Sequence, residues 1–243
     1  MNRPRQLVLV RHAQSARNEV KKGNVYFSDD EERRAIQGIP DHDIPLTEFG
    51  IEQAKQTGIE LRRKFGTFDY VYHSGYKRTA DTARYILDAY SDEELTQIKI
   101  RQNPFIRERD PGYAYDMTTE EAESAFPWLK EHWQTFGGFM ARPPGGESLA
   151  DVANRVYTFL GTLFRDRAND DVVVVTHGGT LRCFRYLLER WDYNQATTWN
   201  NEPHPENCGV TTYEFNEKLG RLALNSYNDV FWKTEEWNQG RTL

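Results

Sequence analysis

Two apolar runs, far apart in the chain, each end on a histidine. Residues 7–10 (Leu-Val-Leu-Val) lead into Arg11 and His12, and residues 172–175, four valines, lead into Thr176 and His177. An unbroken apolar run of this length is typical of a strand buried on both faces in a parallel sheet. Ligands of open α/β sheets bind beyond the carboxyl ends of the strands. The pattern therefore predicts one site that is built from two strand ends and contains both histidines.

The rest of the chain alternates strand and helix patterns around these two runs. We expect further strands at residues 70–73 and 98–100, and helices at about residues 47–64, 77–90, 148–164 and 178–188. Thr47 and Ser148 suit helix N-caps. Residues 211–215 and 222–225 are typical of a closing antiparallel pair, and residues 18–45, without any sustained period, predict a long loop. Together these elements predict a three-layer α/β/α sandwich with a mostly parallel sheet.

The length of the chain and the absence of a linker pattern favour one domain. At 243 residues the chain can bury a substantial core, and we expect residues 1–243 to form a single domain. Residues 104–146 are aromatic and rich in proline, and we interpret them as a small lid over one end of the sheet. The aromatic tail from Tyr227 to Trp237 is expected to pack back on the domain.

Composition restricts the partners. The formal net charge of −6 argues against nucleic acid, and no segment approaches the roughly 20 apolar residues of a membrane span, so we expect neither nucleic acid nor membrane as a partner. The apolar run near the N-terminus is too short for a signal peptide, and two cysteines do not make a disulfide framework, so a cytoplasmic location is expected. If the chain associates with itself, we expect a homodimer.

A third motif adds a second arginine to the expected site. Residues 74–83 follow the expected strand at residues 70–73 and place Arg78 near the start of a helix, where free backbone N–H groups favour an anion. The planar guanidinium group of arginine grips phosphate through paired, charge-assisted hydrogen bonds. Two arginines, two histidines and a helix N-terminus therefore predict a site for a small phosphorylated substrate.

These motifs resemble those of the histidine phosphatase superfamily, the phosphoglycerate-mutase-like proteins. The resemblance spans about residues 6–215, and the matching segments occur in the family's order: residues 11–18, 45–50, 74–83, 107–110, 145–148 and 177–178. Asn207-Cys208 and the Arg-Glu-Arg-Asp run at residues 107–110 are most similar to a plant and fungal branch of the family. Joint agreement of this many motifs is far more specific than any one of them.

The resemblance implies a role for each site residue. His12 would be the nucleophile that forms a phosphohistidine, while Arg11, Arg78 and His177 would surround the transferring phosphoryl group without a metal or cofactor. Glu108 would act as general acid and then as general base. The residues implied in substrate binding are Asn18, Gln37, Gly38, Arg109 and Gly178. From the residues alone, Arg107 and Arg109 could contact a second acidic group of the substrate, but surface ion pairs are the ordinary interpretation.

Three positions depart from the family pattern. Ala13 stands where the family has a glycine, Gly75-Tyr76 replaces a Pro-Leu pair, and Pro111 replaces an aromatic residue. Alanine narrows the backbone freedom after the nucleophile. The other two changes alter the expected walls of the pocket.

Three alternatives remain open beside metal-independent phosphomonoester hydrolysis. A phosphoglycerate mutase would return the phosphoryl group to another hydroxyl, but the short segment between Glu108 and Glu147 should admit water and so favours hydrolysis. A non-catalytic module could bind phosphorylated ligands with the same residues. A metal site on His12 and His177 is disfavoured, because Arg11 and Arg78 would repel a divalent cation.

Overall fold

A six-stranded sheet forms the centre of the protein. The computed structural model describes residues 3–20, 26–198 and 203–233. The strands are β1 (Gln6–Arg11), β2 (Tyr70–His73), β3 (Lys99–Gln102), β4 (Asp171–Thr176), β5 (Val210–Asn216) and β6 (Arg221–Asp229). Their order is β3-β2-β4-β1-β5-β6. The first four strands are parallel to one another, β5 pairs antiparallel with β1, and β6 pairs antiparallel with β5. The expected mostly parallel sheet with a closing antiparallel pair is confirmed.

The two apolar runs form the two central parallel strands. In the β1–β4 ladder Val10 pairs with Val175 and Arg11 with Thr176, and the four valines are buried. The pairing extends one residue further, since the His12 backbone N–H donates to the Thr176 carbonyl at 2.8 Å. This register brings His12 and His177 side by side at the carboxyl edge of the sheet.

Helices cover both faces of the sheet. They are α1 (Ala16–Val20), α2 (Asp30–Arg34), α3 (Glu48–Phe65), α4 (Lys77–Leu87), α5 (Asp92–Gln97), α6 (Thr119–Ala125), α7 (Leu129–Met140), α8 (Leu149–Asp166), α9 (Gly178–Glu189) and α10 (Tyr193–Thr198). One core joins α8 and α9 to Leu7 and Leu9, and a second joins α3 and α4 to Val8 and Val10. The alternation of β1 side chains between two apolar layers confirms the α/β/α sandwich.

The helix caps follow from the sequence, whereas several element ends do not. Thr47 accepts from the Gly50 N–H, and Ser148 forms a capping box with Asp151. The strand expected at residues 98–100 is observed one to two residues later, as β3, because its backbone pairing with β2 begins with Tyr70 opposite Lys99. Every residue of this edge strand is exposed. The helix expected to reach residue 90 ends at Leu87.

The least regular part of the sequence contains more structure than its pattern predicts. Residues 104–146 hold two short 3₁₀ helices together with α6 and α7. Near the C-terminus, Trp232 is buried against Phe49, and its indole N–H donates to the Asn207 carbonyl at 2.8 Å. Trp237, the other end of the expected aromatic tail, lies outside the described residues. Within the described ranges, no helix combines the length and apolar character that crossing a membrane requires.

Candidate active site

His12 lies at the end of β1 with its ring fixed by one hydrogen bond. The side chain is 3% exposed, and its Nδ1 lies 2.7 Å from the Ala13 carbonyl oxygen. A carbonyl can only accept, so Nδ1 carries the hydrogen and Nε2 keeps its lone pair. Burial, reinforced by the charges of Arg78 and Arg11, holds the pKa of His12 well below 6.5. The ring is therefore neutral at physiological pH, as a nucleophile must be.

His177 lies beside His12 and is held from the opposite side. Its Nε2 hydrogen-bonds the Ser74 hydroxyl at 2.9 Å, and the two imidazole centroids are 5.2 Å apart. The Tyr76 ring contacts the same imidazole edge-on at 5.1 Å, so the residue that departs from the family pattern forms a wall here. Burial is the main reason that the pKa of His177 also lies well below 6.5. The neutral ring can donate a hydrogen bond without adding a buried charge.

Two arginines flank the histidine pair. Nη1 of Arg11 donates to the Pro205 carbonyl at 2.5 Å, while its buried Nε has no hydrogen-bond partner among the described residues. Arg78 is 4% exposed, and its guanidinium lies 3.2 Å from an Asp41 carboxylate oxygen. The aromatic face of Tyr76 lies 4.9 Å from that guanidinium. Both arginines are thus held in place before any ligand binds, which is the condition for efficient stabilisation of phosphoryl charge.

Glu108 stands across from His177. Its Oε1 accepts from the Arg109 backbone N–H at 2.8 Å, and its Oε2 lies 3.9 Å from Nδ1 of His177. A methyl group added to Gly179 would approach Oε1 to 3.1 Å, so the absence of a side chain at the start of α9 leaves room for this carboxylate. The arrangement places a carboxyl group within 4 Å of the His177 ring.

A carboxamide pair stiffens the loop that follows His12. Asn18 Oδ1 accepts from the Ser15 backbone N–H at 3.2 Å and from the Ser15 hydroxyl at 3.0 Å. Asn207 donates both to Asn18 Oδ1, at 3.2 Å, and to the His12 carbonyl, at 2.9 Å. These bonds fix the orientation of the Asn18 carboxamide, which lines the cavity described next.

These groups line one cavity of about 750 Å³. Its lining residues are Arg11, His12, Ser15, Arg17, Asn18, Asp41, Arg78, Glu108, Arg109, Pro111, Tyr115, Leu149, Gly179, Arg182, Pro203, His204, Pro205 and Glu206. Five arginines against three carboxylates give the walls a positive balance although the whole chain is acidic. The cavity is large enough for a phosphate group together with the organic part of a substrate.

Some residues expected in the site lie elsewhere. Gln37 and Gly38 are exposed and do not line the cavity, where Asp41 from the same loop stands instead. Gly178 contributes the N-terminus of α9, but a side chain there would meet His204 at 2.7 Å, so Gly179 is the glycine on the cavity wall. Substrate binding by Gln37, Gly38 and Gly178 stays a prediction.

The two arginines beside Glu108 differ in their surroundings. Arg107 pairs with Glu147 at 2.9 Å, as the surface ion-pair interpretation expects. The Arg109 side chain is half-buried, lines the cavity and makes no ion pair with the described residues, so the ion-pair interpretation is wrong for it. Glu147 also binds Arg155 at 3.0 Å and accepts from the Asp110 N–H, which makes it a structural carboxylate at the base of this loop.

Sequence reasoning missed several cavity residues. Arg17, Asp41, Tyr115, Arg182 and His204 all line the cavity, and no motif pointed to them as site residues. Asn207 was noticed only as a mark of the family branch, with no role. In the described parts of the chain, no three His, Cys, Asp or Glu side chains are grouped so that they could hold a metal ion.

The chain is similar in sequence to a known protein family and to several of its members. The family model of the histidine phosphatase superfamily (branch 1) matches residues 7–229. Phosphoglycerate mutase-like protein AT74H of Arabidopsis thaliana is 32% identical over 218 residues, which are 82% of this chain and 70% of that protein. Broad-range acid phosphatase DET1 of Saccharomyces cerevisiae is 27% identical over 319 residues, with 92% of this chain and 89% of that protein covered.

The chain is also similar in sequence to a bacterial mutase, and its fold is similar to that of a solved bacterial structure. The 2,3-bisphosphoglycerate-dependent phosphoglycerate mutase of Methylobacterium radiotolerans is 33% identical over 188 residues, 76% of this chain and 79% of that protein. The structure of Bacillus stearothermophilus YhfR superposes with a TM-score of 0.71 at 23% identity, covering 93% of this chain and 98% of that one. At that identity the superposition supports the fold alone.

Proposed function

The chain belongs to the histidine phosphatase superfamily (branch 1), and on that premise we propose that it hydrolyses phosphomonoesters through a phosphohistidine formed on His12. Members of this superfamily among its relatives are named as phosphatases or as phosphoglycerate mutases. The observation that carries the proposal is the His12 ring, which is neutral, held through Nδ1 by the Ala13 carbonyl, and flanked by two arginines.

In the first step, Nε2 of His12 attacks phosphorus, and the N–P bond forms as the bond from phosphorus to the ester oxygen breaks. Arg11, Arg78 and His177 donate hydrogen bonds to the three equatorial oxygens, on which charge is spread in the transition state. Glu108 gives its proton to the departing alkoxide, so the alcohol leaves neutral and the carboxylate becomes a base.

In the second step, water takes the place of the alcohol. The Glu108 carboxylate removes a proton from the water as its oxygen attacks the phosphohistidine, and the P–N bond breaks to return neutral His12 and inorganic phosphate. The Glu108 side chain is 26% exposed, so water can reach this position. Exposure of the base to solvent is the reason that we favour hydrolysis over a mutase cycle.

A mutase remains the second candidate, because the similarity to a named phosphoglycerate mutase extends over three quarters of the chain. The two candidates differ in the fate of the phosphoryl group. Incubation with 3-phosphoglycerate, followed by ³¹P NMR, would give inorganic phosphate for a hydrolase and 2-phosphoglycerate for a mutase.

Phosphate release from p-nitrophenyl phosphate in excess EDTA tests the proposal. The wild type should turn over and His12→Ala should not, while His132→Ala, which removes a histidine of α7 outside the cavity, should keep its activity. Mass spectrometry of Glu108→Gln after brief exposure to substrate should show an acid-labile phosphoryl adduct. Activity that EDTA abolishes, or that persists in His12→Ala, would refute the mechanism.

A further inference from the structure

A carboxylate of the cavity wall binds one of the two guanidinium groups that flank the histidine pair. Asp41 begins the short 3₁₀ helix Asp41–Asp43, and both of its carboxylate oxygens reach Arg78. Oδ1 lies 3.2 Å from Nη1, and Oδ2 accepts from Nη2 at 3.3 Å. Among the described residues, no other carboxylate forms an ion pair with Arg78. This two-point contact is the one that an arginine also offers to a phosphate group.

The backbone of Asp41 holds Arg78 independently of the carboxylate. The Asp41 carbonyl oxygen accepts a hydrogen bond from Nη1 of Arg78. The segment is itself anchored, since the Tyr115 hydroxyl donates to the Ile39 carbonyl at 3.4 Å and the Arg17 guanidinium lies 4.2 Å from the Tyr115 ring centroid. A carbonyl carries no net charge and can keep its place when an anion binds. The backbone therefore orients the guanidinium, and the carboxylate adds a negative charge beside it.

The carboxylate and a phosphoryl group compete for the same guanidinium. The side chain of Arg78 is 5% exposed and that of Asp41 is 19% exposed, so little water screens charges at this point. Two anions on one partly buried cation repel each other strongly. The Asp41 side chain lines the cavity, so it can rotate away from Arg78 without unpacking the core. Binding of a phosphate to Arg78 thus requires this carboxylate to give up its contact.

Two phenol groups feel the charge of Asp41, and neither adds a charge of its own. Burial, reinforced by the negative charge of Asp41, raises the pKa of Tyr115 to about 12, and the same two causes raise the pKa of Tyr76 above 10. Both hydroxyls therefore stay protonated at physiological pH. The imidazole of His42, the next residue, lies 3.5 Å from the Asp43 carboxylate. Removal of the Asp41 carboxylate would therefore remove a negative charge from this wall without a phenolate in its place.

We propose that Asp41 is a positioning residue that acts through Arg78 during turnover. Its carboxylate binds the Arg78 guanidinium in the free protein, yields it to the phosphoryl group, and takes it back as inorganic phosphate leaves. The inference rests on the proposed function, since it assumes that the phosphoryl group binds Arg78. Competition of this kind weakens the binding of every phosphate ligand and favours release of the product.

Substitution of Asp41 by asparagine separates competition from orientation. Asp41→Asn keeps the size of the side chain and the backbone carbonyl but removes the charge. Competition predicts that the inhibition constant of inorganic phosphate and the KM for p-nitrophenyl phosphate both fall by about 10- to 100-fold, the factor that one hydrogen bond to a charged group supplies. The value of kcat/KM should not fall. If the carboxylate only orients Arg78, both constants should rise and kcat/KM should decrease.

Three variants accompany this substitution. Asp43→Asn is the matched control, because Asp43 belongs to the same 3₁₀ helix, is 59% exposed and lies outside the cavity lining. It should leave the inhibition constant of phosphate unchanged. Asp41→Ser, which also lacks the charge, should repeat the fall seen in Asp41→Asn. Asp41→Glu, which keeps the charge, should bind phosphate more weakly than Asp41→Asn does.

An unchanged or higher inhibition constant of phosphate in Asp41→Asn would overturn the competition while leaving hydrolysis intact. An equal fall in Asp43→Asn would overturn it as well, since the effect would then reflect only the net charge of the loop. If no ester is hydrolysed, the proposed function fails, and isothermal titration calorimetry with inorganic phosphate decides the inference separately. Tighter binding to Asp41→Asn than to the wild type would support the competition, whereas equal or weaker binding, or binding to neither protein, would refute it.

Discussion

Substitution of Asn207 by aspartate tests whether the carboxamide pair orients the site. The change preserves the size of the side chain but replaces its NH₂ group by a carboxylate oxygen. That oxygen would face the His12 carbonyl, now 2.9 Å from Nδ2, and Asn18 Oδ1, now 3.2 Å away. Two hydrogen bonds would become two contacts between acceptors, and a negative charge would be added beside the phosphoryl position.

The structure gives the size of the expected effect. Loss of two hydrogen bonds of about 1 kcal/mol each, with repulsion in their place, should lower the free energy of unfolding by about 2 to 4 kcal/mol. For a chain of this length that corresponds to a fall in Tm of about 4 to 16 °C. Repulsion from the new carboxylate would push Asn18 Oδ1 away from its two Ser15 donors, and misplacement of about 1 Å at a reacting centre lowers kcat/KM by about 100-fold.

Thermal unfolding followed by circular dichroism and phosphate release at saturating and limiting substrate measure both effects. Asn225→Asp is the matched control, since Asn225 donates to Glu214 at 3.2 Å on the exposed surface of β6. It should change stability by less than about 1 kcal/mol and leave kcat/KM unaltered. An Asn207→Asp protein with wild-type Tm and wild-type kcat/KM would refute the orienting role.

Three further predictions concern the acid, the nucleophile and the packing of α3. Glu108→Gln should lower kcat on alkyl phosphates by about 100- to 10,000-fold. In the control Asp110→Asn, in the same charge run, kcat should stay within a few fold of the wild-type value. Equal effects of the two substitutions in steady-state assays would contradict the assignment of Glu108. Because the pKa of folded His12 lies well below 6.5, its NMR resonance should not titrate as the pH falls past 6.5. The free energy of unfolding should then decrease below pH 6.5, since the unfolded chain takes up a proton that the folded one does not, and an equal slope in His12→Gln would disprove this. Gly58→Ala would place a methyl group 2.3 Å from a backbone carbonyl oxygen of α4 and should lower the free energy of unfolding by about 1 to 3 kcal/mol. Gly161→Ala, where a methyl group would meet nothing within 4 Å, should not lower it. Chemical denaturation of both variants measures the difference.

The sheet and its two histidines were predictable because their signals are local. A run of four apolar residues identifies a strand that is buried on both faces, whatever lies around it. The caps of α3 and α8 are equally local, since each depends on a hydroxyl and an N–H three residues away. Arg78 belongs to the same class, because its helix follows directly from a strand. Local signals thus place Arg11, His12, Arg78 and His177 at the carboxyl edge of the sheet.

Cavity residues that no local pattern marks could not be assigned in this way. Arg17 and Arg182 carry the same charge as many surface arginines, and their sequence neighbours do not distinguish them. Gln37 was expected at the cavity, yet Asp41 stands there, because the fold of an aperiodic loop decides which of its side chains turns inward. Arg107 and Arg109 are two positions apart, and only Arg107 reaches Glu147, whereas Arg109 has no ion pair within the part of the chain that the structure describes.

By itself, the sequence determined the order of the six strands and of the long helices α3, α4, α8 and α9. It also determined the family and the pair of histidines at neighbouring strand ends, since each depends on residue types at short spacing. Only the tertiary structure decided the tautomer of His12, the network of Asn207 and Asn18, and the environments of Arg17 and Arg109. Each of these depends on atoms from segments that are distant in sequence. The physical reason is that hydrogen bonds and charge pairs act over a few ångströms of space, and only packing brings such segments that close.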